Sequence, residues 1–397
     1  MTSKLQKLAA EVLRLSTSSE NQRRLIERHT LVSGGRAACR PPVYVRLNRP
    51  YLQARTGVNL KNLIHDPEAY LELELMTKII KFTEFDEDTP LFPDVMLQFG
   101  TAWDLTLCGI PWVEVGREEP WIGQPILGSA DEVDLLHVPV DFDQVGMMPL
   151  TLPIYEDIRR ILGDRIPVHF PDWLAGPTRI VQKLRGEESF FLDLYDNPTG
   201  VHKMFVYATR VRRAFEAYRA RLTRTGPGPG EFYYWEFKTM ANDEVNAELL
   251  SPQHYREFIY PYDLEYCRDY PRVYFHGSGV FTPYFDKIAT LPNLRMIEIS
   301  DWSDLGEANR VLGDKLILER TFLQTERAFT GDHSTKTNLL GNLVKAAGGS
   351  SFYFILNVDN QDQGIEGRIH EWVQLSRQAI ERHLYPISSG QNNSPKL

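Results

Sequence analysis

The chain has 397 residues, 42% of them hydrophobic and 24% charged, with a formal net charge of −9. That length exceeds the usual domain of ~150 residues but suits one large α/β barrel, and no stretch approaches the ~18 uninterrupted apolar residues of a membrane span. The acidic balance argues against a nucleic-acid partner, since phosphate binding needs a basic face.

Leu5, Leu8, Ala9, Val12 and Leu15 share one stripe of a predicted helix, and SSENQRRLIERH restarts it behind a serine cap. Lys4, Lys7, Glu11 and Arg14 interrupt any signal-peptide core, so the expected location is cytoplasmic. Cys39, Cys108 and Cys267 are widely spaced and show neither a disulfide framework nor a thiolate zinc pattern. PPVYVRLNRPYLQARTG is an extended run leading into Arg46, Arg49 and Arg55, side chains suited to gripping carboxylates and equally at home on a solvated surface. Pro67 follows the cap Asp66 of the next helix. In LFPDVMLQF, Asp94 falls within an otherwise apolar strand, where a carboxylate needs a partner, a ligand or a proton.

From Trp112 to about Asp131, short alternating stretches between Gly and Pro predict a hairpin. A helix is expected over about 143–164, and RIPVHF returns as a strand ending at His169. GPTRIVQKLRGEESFFLDLYDNP supplies turn, helix and turn before an outer helix through Met204, Ala208, Val211, Phe215, Tyr218 and Leu222. The glycines and prolines at 226–230 end that helix, and EFYYWEF is expected as the next strand. A capped helix from about Pro252 then delivers the chain into Val273–Phe275, an apolar run broken by His276-Gly277-Ser278-Gly279. A histidine at such a strand end is either a chemical group or a core residue tied to backbone.

With LRMIEIS, KLILER and FYFILNV, the strands number about eight, and helical patterns separate the later ones. Eight such strands predict a (β/α)8 TIM barrel over residues 41–386, with a helical extension at 1–40 and a disordered tail at 387–397. Barrel chemistry gathers at the strand C-terminal ends, which selects Asp94, His169, Asp172, Glu236, His276, Asp301, Glu319, Asn357 and Asp359.

Six motifs in order resemble the uroporphyrinogen decarboxylase superfamily over most of residues 41–386: PVYVRLNRPYL, LFPDVM, FFLDLYDNP, LSPQHYREFIYPY, VYFHGSG and FILNVDN. The resemblance implies that Arg46 and Arg49 grip substrate carboxylates and that Asp94 receives a substrate nitrogen. It also implies a homodimer. The chain departs from the family where Gln182 replaces an active-site tyrosine and Asn360 a histidine, and NDEVNAELLSP lacks the Asp-Ser-Trp-Ala-Gly motif. The zinc-dependent methyltransferases of the same superfamily carry His-x-Cys where this chain has His276-Gly277-Ser278.

The leading expectation is a metal-independent decarboxylase or related lyase acting on a carboxylated small molecule. Asp94 and His276 are its catalytic pair, facing one pocket whose rim carries Arg46 or Arg49. His169, Gln182, Glu236, Ser278, Asn357 and Asn360 complete the substrate-binding set, with no cofactor. One alternative is a methyltransferase with a corrinoid protein or thiol as the other party, and a divalent metal at His276 with Glu319 or Asp301. Another is a barrel that binds a small molecule without chemistry.

Overall fold

The computed structural model describes residues 3–18, 20–34, 40–60, 63–114, 120–223, 237–322, 328–358 and 364–385. Among them run β1 (Val43–Leu47), β2 (Val95–Met96), β3 (Trp112–Val113), β4 (Trp121–Ile122), β5 (Val168–His169), β6 (Lys238–Ala241), β7 (Val273–His276), β8 (Leu294–Ile299), β9 (Ile317–Phe322) and β10 (Phe352–Val358). The chain divides into two units, one of residues 1–58, 72–93 and 295–397 and the other of residues 59–71 and 94–294.

In the first unit β1, β10, β9 and β8 lie side by side in that order, all parallel. Every residue of β9 and β10 is buried. Covered on both faces, these strands read as continuous apolar runs and not as alternating ones. Helices Leu305–Leu312 and His333–Ala347 return the chain from β8 to β9 and from β9 to β10. Each starts at an aspartate cap: Asp304 accepts from the Glu307 amide at 2.9 Å and Asp332 from the Thr335 amide at 2.8 Å. The expected N-terminal extension is two helices, Ser3–Ser18 and Glu20–Ser33, with Leu5, Ala9, Val12 and Leu15 buried.

In the second unit β2 pairs with β5 and β6 with β7, both parallel. Ala175, just beyond β5, bridges in parallel to Ala241 of β6. The expected hairpin is present as the antiparallel pair β3 and β4. Helices Pro177–Arg185, Glu187–Asp196, Pro198–Leu222 and Tyr260–Asp269 follow the pattern of their sequences. Among the described residues the eight parallel strands thus fall four to each unit.

Two local expectations need correction. Asp94 precedes β2 and does not lie within it, because the two prolines flanking Leu91 and Phe92 and Asp94 itself keep the backbone out of a ladder until Val95. The strand expected at EFYYWEF is found later, at Lys238–Ala241, while residues 231–236 lie outside the described residues. The expected disordered tail at 387–397 also lies outside them.

Asp88 joins segments of the first unit that are far apart in sequence. Its carboxylate takes Arg28 at 2.6 Å, Arg40 at 2.7 Å, Arg377 at 3.0 Å and the Val43 amide at 2.8 Å. Burial pushes this carboxyl up, but Arg40, Arg377 and Arg28 more than offset that and hold it below its ordinary value. Asp88→Ala takes the shared carboxylate away from three guanidinium groups and is expected to cost on the order of 3–5 kcal/mol, read from the urea midpoint at unchanged slope. Because the folded-state value is depressed, this stability is present above the ordinary carboxylate range and is lost as pH falls through the lower folded value. Wild-type stability in the Ala variant at neutral pH would refute the role.

Candidate functional site

A cleft of about 60 Å³ opens within the second unit. Met96, Leu97, Phe99, Trp103, Pro171 and Leu174 give it apolar walls, and Asp104, Asp172, Arg179, Asp243 and His276 supply its charged and titratable groups. Several of these follow the C-terminal ends of β5, β6 and β7, where parallel α/β sheets present their loops.

His276 ends β7 and is partly buried, with Nδ1 3.0 Å from the Tyr274 hydroxyl. Asp243 follows β6 by two residues; its Oδ1 accepts from both the Ser278 amide and the Ser278 hydroxyl at 3.0 Å. Its Oδ2 lies 3.3 Å from Arg179 Nη1. Asp243 keeps 31% of its side chain exposed and is the open carboxylate of the cleft. Arg179, only 8% exposed, also reaches the Thr101 carbonyl at 3.4 Å and lies 3.7 Å from Glu244. Burial raises the Glu244 carboxyl, against the opposing pull of Arg179.

The other two acids hold the walls. Asp104 is buried and accepts from the Leu174 and Ala175 amides at 2.9 and 2.6 Å. Its carboxyl is raised by burial in spite of those bonds and of Arg179. Asp172 lies 2.6 Å from Lys238 and 3.7 Å from Arg219. Burial pushes Asp172 up, and Lys238 and then Arg219 bring it below the ordinary value.

No family model matches the chain and no curated protein does. Its fold is similar to that of a methyltransferase. The solved structure is a methyltransferase from Methanosarcina mazei, 16% identical, with a TM-score of 0.63 over 89% of this chain and 98% of that one. At that identity the likeness concerns the fold alone. Among the described residues, no helix is long and apolar enough to cross a membrane.

The residues expected from sequence divide between the units. In the second unit, His276 lines the cleft, while Ser278 holds Asp243 from behind. Asp94 and His169 are not among the lining residues; Asp94 Oδ2 lies 3.5 Å from His169 Nε2, so a histidine stands beside this carboxylate. Gln182 is buried in helix Pro177–Arg185, its Nε2 3.4 Å from the Glu244 carbonyl. In the first unit, Arg46 and Asn357 are register partners on β1 and β10, and Arg49 begins helix Arg49–Thr56. Asp301 pairs with Arg320 at 2.5 Å, and Glu319 accepts from the Tyr353 and Thr321 hydroxyls. Glu236 and Asn360 lie outside the described residues.

Sequence reasoning missed Asp104, Arg179 and Asp243. For Asp243 the signal was present: it is the acid just past a strand end. Placing that strand at EFYYWEF put its end at Phe237 and hid the acid behind it. Asp104→Ala frees two amides and is expected to cost roughly 2–4 kcal/mol, with Asp104→Asn milder because it keeps one acceptor. Equal midpoints for the Ala variant and wild type in thermal unfolding would exclude this role.

Proposed function

We propose that the protein is a methyltransferase acting on a small methylated substrate held in this cleft, with a thiol or a corrinoid protein as the other party. The observation that carries the reading is the fold likeness to a methyltransferase over 89% of the chain. The apolar walls suit a methyl group, and Arg179 and Asp243 form a charged pair beside them. In the reaction the methyl carbon leaves a substrate heteroatom, which takes up a proton; a thiol acceptor gives up its own proton in exchange, whereas a reduced corrinoid has none to give. His276, steadied by the Tyr274 hydroxyl, is the proton donor in this reading, and Asp243 orients the polar end of the substrate.

The superfamily's thiol-activating branch implies zinc on His-x-Cys with a second cysteine. Among the described residues the thiolate donors of that group are missing: position 278 is a serine whose hydroxyl is given to Asp243, and Cys108 and Cys267 are both buried free thiols. No step is therefore routed through zinc. Decarboxylation keeps one observation in its favour, the buried Arg179 guanidinium in the cleft wall, which suits a substrate carboxylate. We also propose the finer assignments implied by the family resemblance: a (β/α)8 barrel of the uroporphyrinogen decarboxylase type, active as a cytoplasmic homodimer.

The test is a transfer assay with isotopically labelled methyl donors, offering a free thiol and a reduced corrinoid as acceptors, beside a carbon dioxide release assay on carboxylated substrates. Labelled methyl should appear on an acceptor, and both Asp243→Asn and His276→Ala should lower turnover by on the order of 100-fold with the fold retained. Carbon dioxide release without methyl transfer would overturn the reading in favour of decarboxylation. Ligand binding with neither reaction would overturn it in favour of a non-catalytic barrel.

A further inference from the structure

Beneath the cleft wall lies a carboxylate that the proposed chemistry does not use. Asp263, in helix Tyr260–Asp269, is fully buried. Its Oδ1 accepts from Asn242 Nδ2 at 3.0 Å and its Oδ2 from the Tyr255 hydroxyl at 3.1 Å. Tyr255 belongs to a π-helical turn, Tyr255–Ile259, a local widening often found where a helix serves a site. Asn242 is the residue between Ala241 and Asp243, both of which line the cleft. The Asn242 amide donates to the His276 carbonyl at 2.8 Å. Backbone bonds thus hold the wall to its neighbouring strands, among them Ala241 N–H to the Leu174 carbonyl at 2.8 Å, and the Asn242 side chain ties it to Asp263.

Asn242 is tightly confined and incompletely satisfied. A Cβ on Gly176 would fall 1.8 Å from its Oδ1, so only glycine lets this amide sit here. That Oδ1 is buried with no hydrogen-bond partner. An ionised Asp263 is acceptor-only and takes the Asn242 amide N–H; a protonated one gains an O–H, which the orphan Oδ1 would accept once the amide turns over. Two arrangements of one buried pair thus differ by a proton.

We propose that Asp263 is a positioning residue for the cleft: with Asn242 it forms a proton-operated pair that sets the Ala241–Asp243 wall and, through it, the place of Asp243 beside His276. This holds whichever reaction the cleft carries, so it stands or falls apart from the methyltransferase reading. The energetics agree with the geometry. Burial raises the Asp263 carboxyl to about 7, outweighing the bonds from Asn242 and Tyr255 that lower it. The titratable groups facing it are Tyr255 and Cys267, both pushed upward by burial, so neither ionises near neutral pH. With the folded value above the ordinary carboxylate range, the protonated form stabilises the fold at low pH. That contribution is lost as pH rises through about 7.

Hydrogen exchange read by mass spectrometry tests this without any substrate. In wild type, protection of the peptides spanning 240–247 and 274–281, corrected for intrinsic exchange, should fall about tenfold between roughly pH 6 and pH 8. Asp263→Asn should remove the step. Tyr255→Phe, which deletes one donor to the ionised form, should keep the step and move its midpoint to higher pH. The same step in Asp263→Asn, a midpoint unmoved in Tyr255→Phe, or a pH-independent wild type would each overturn the proposal.

Discussion

A carboxylate taken out of water must be given donors, a cation or a proton, and this molecule uses that demand to tie together segments that sequence leaves far apart. Asp88 answers it with three arginines and an amide of β1, bringing the second N-terminal helix, the first strand and the last helix to one point in the first unit. Asp104 answers it with two backbone amides, fixing the loop after β5. Asp243 answers it with Ser278 and Arg179. Asp263 is given only an amide and a phenol, and burial raises its carboxyl to about 7.

That difference in supply sorts the acids by what they can do. Where cations surround a carboxylate, as at Asp88 and Asp172, its acidity strengthens and it stays a fixed anion through the neutral range. Such groups hold structure. Where neutral donors alone face a buried acid, the proton returns near neutrality, and the group becomes responsive. Asp243 lies between these cases, oriented by two donors yet still open to the cleft, which is the condition for meeting a substrate.

Most of the strand framework was legible in the sequence, since strands buried on both faces must be written as short apolar runs between turn signals, and PVYV, VYFH, LRMIEIS, KLILER and FYFILNV are all such runs. The aromatic EFYYWEF has the same composition as a strand, whereas β6 itself, Lys-Thr-Met-Ala, carries no such signal. Composition drew attention to residues 231–237 and away from β6, and the acid just past the end of β6 was missed with it.

From sequence alone came the α/β class, the parallel strands, the helical N-terminal extension and His276 at a strand end. Each is set by local periodicity or by a glycine turn, which neighbouring residues determine. Tertiary structure alone decided which groups share the cleft. Arg179 lies on helix Pro177–Arg185 and Asp104 in the short helix Trp103–Thr106, and they reach the same wall as Asp243 only after residues more than sixty positions apart have been packed together. It also decided that Asp94 stands beside His169 and that Asn242 must fit against Gly176. No periodicity encodes such pairings, because they arise from the shape of the packed interior.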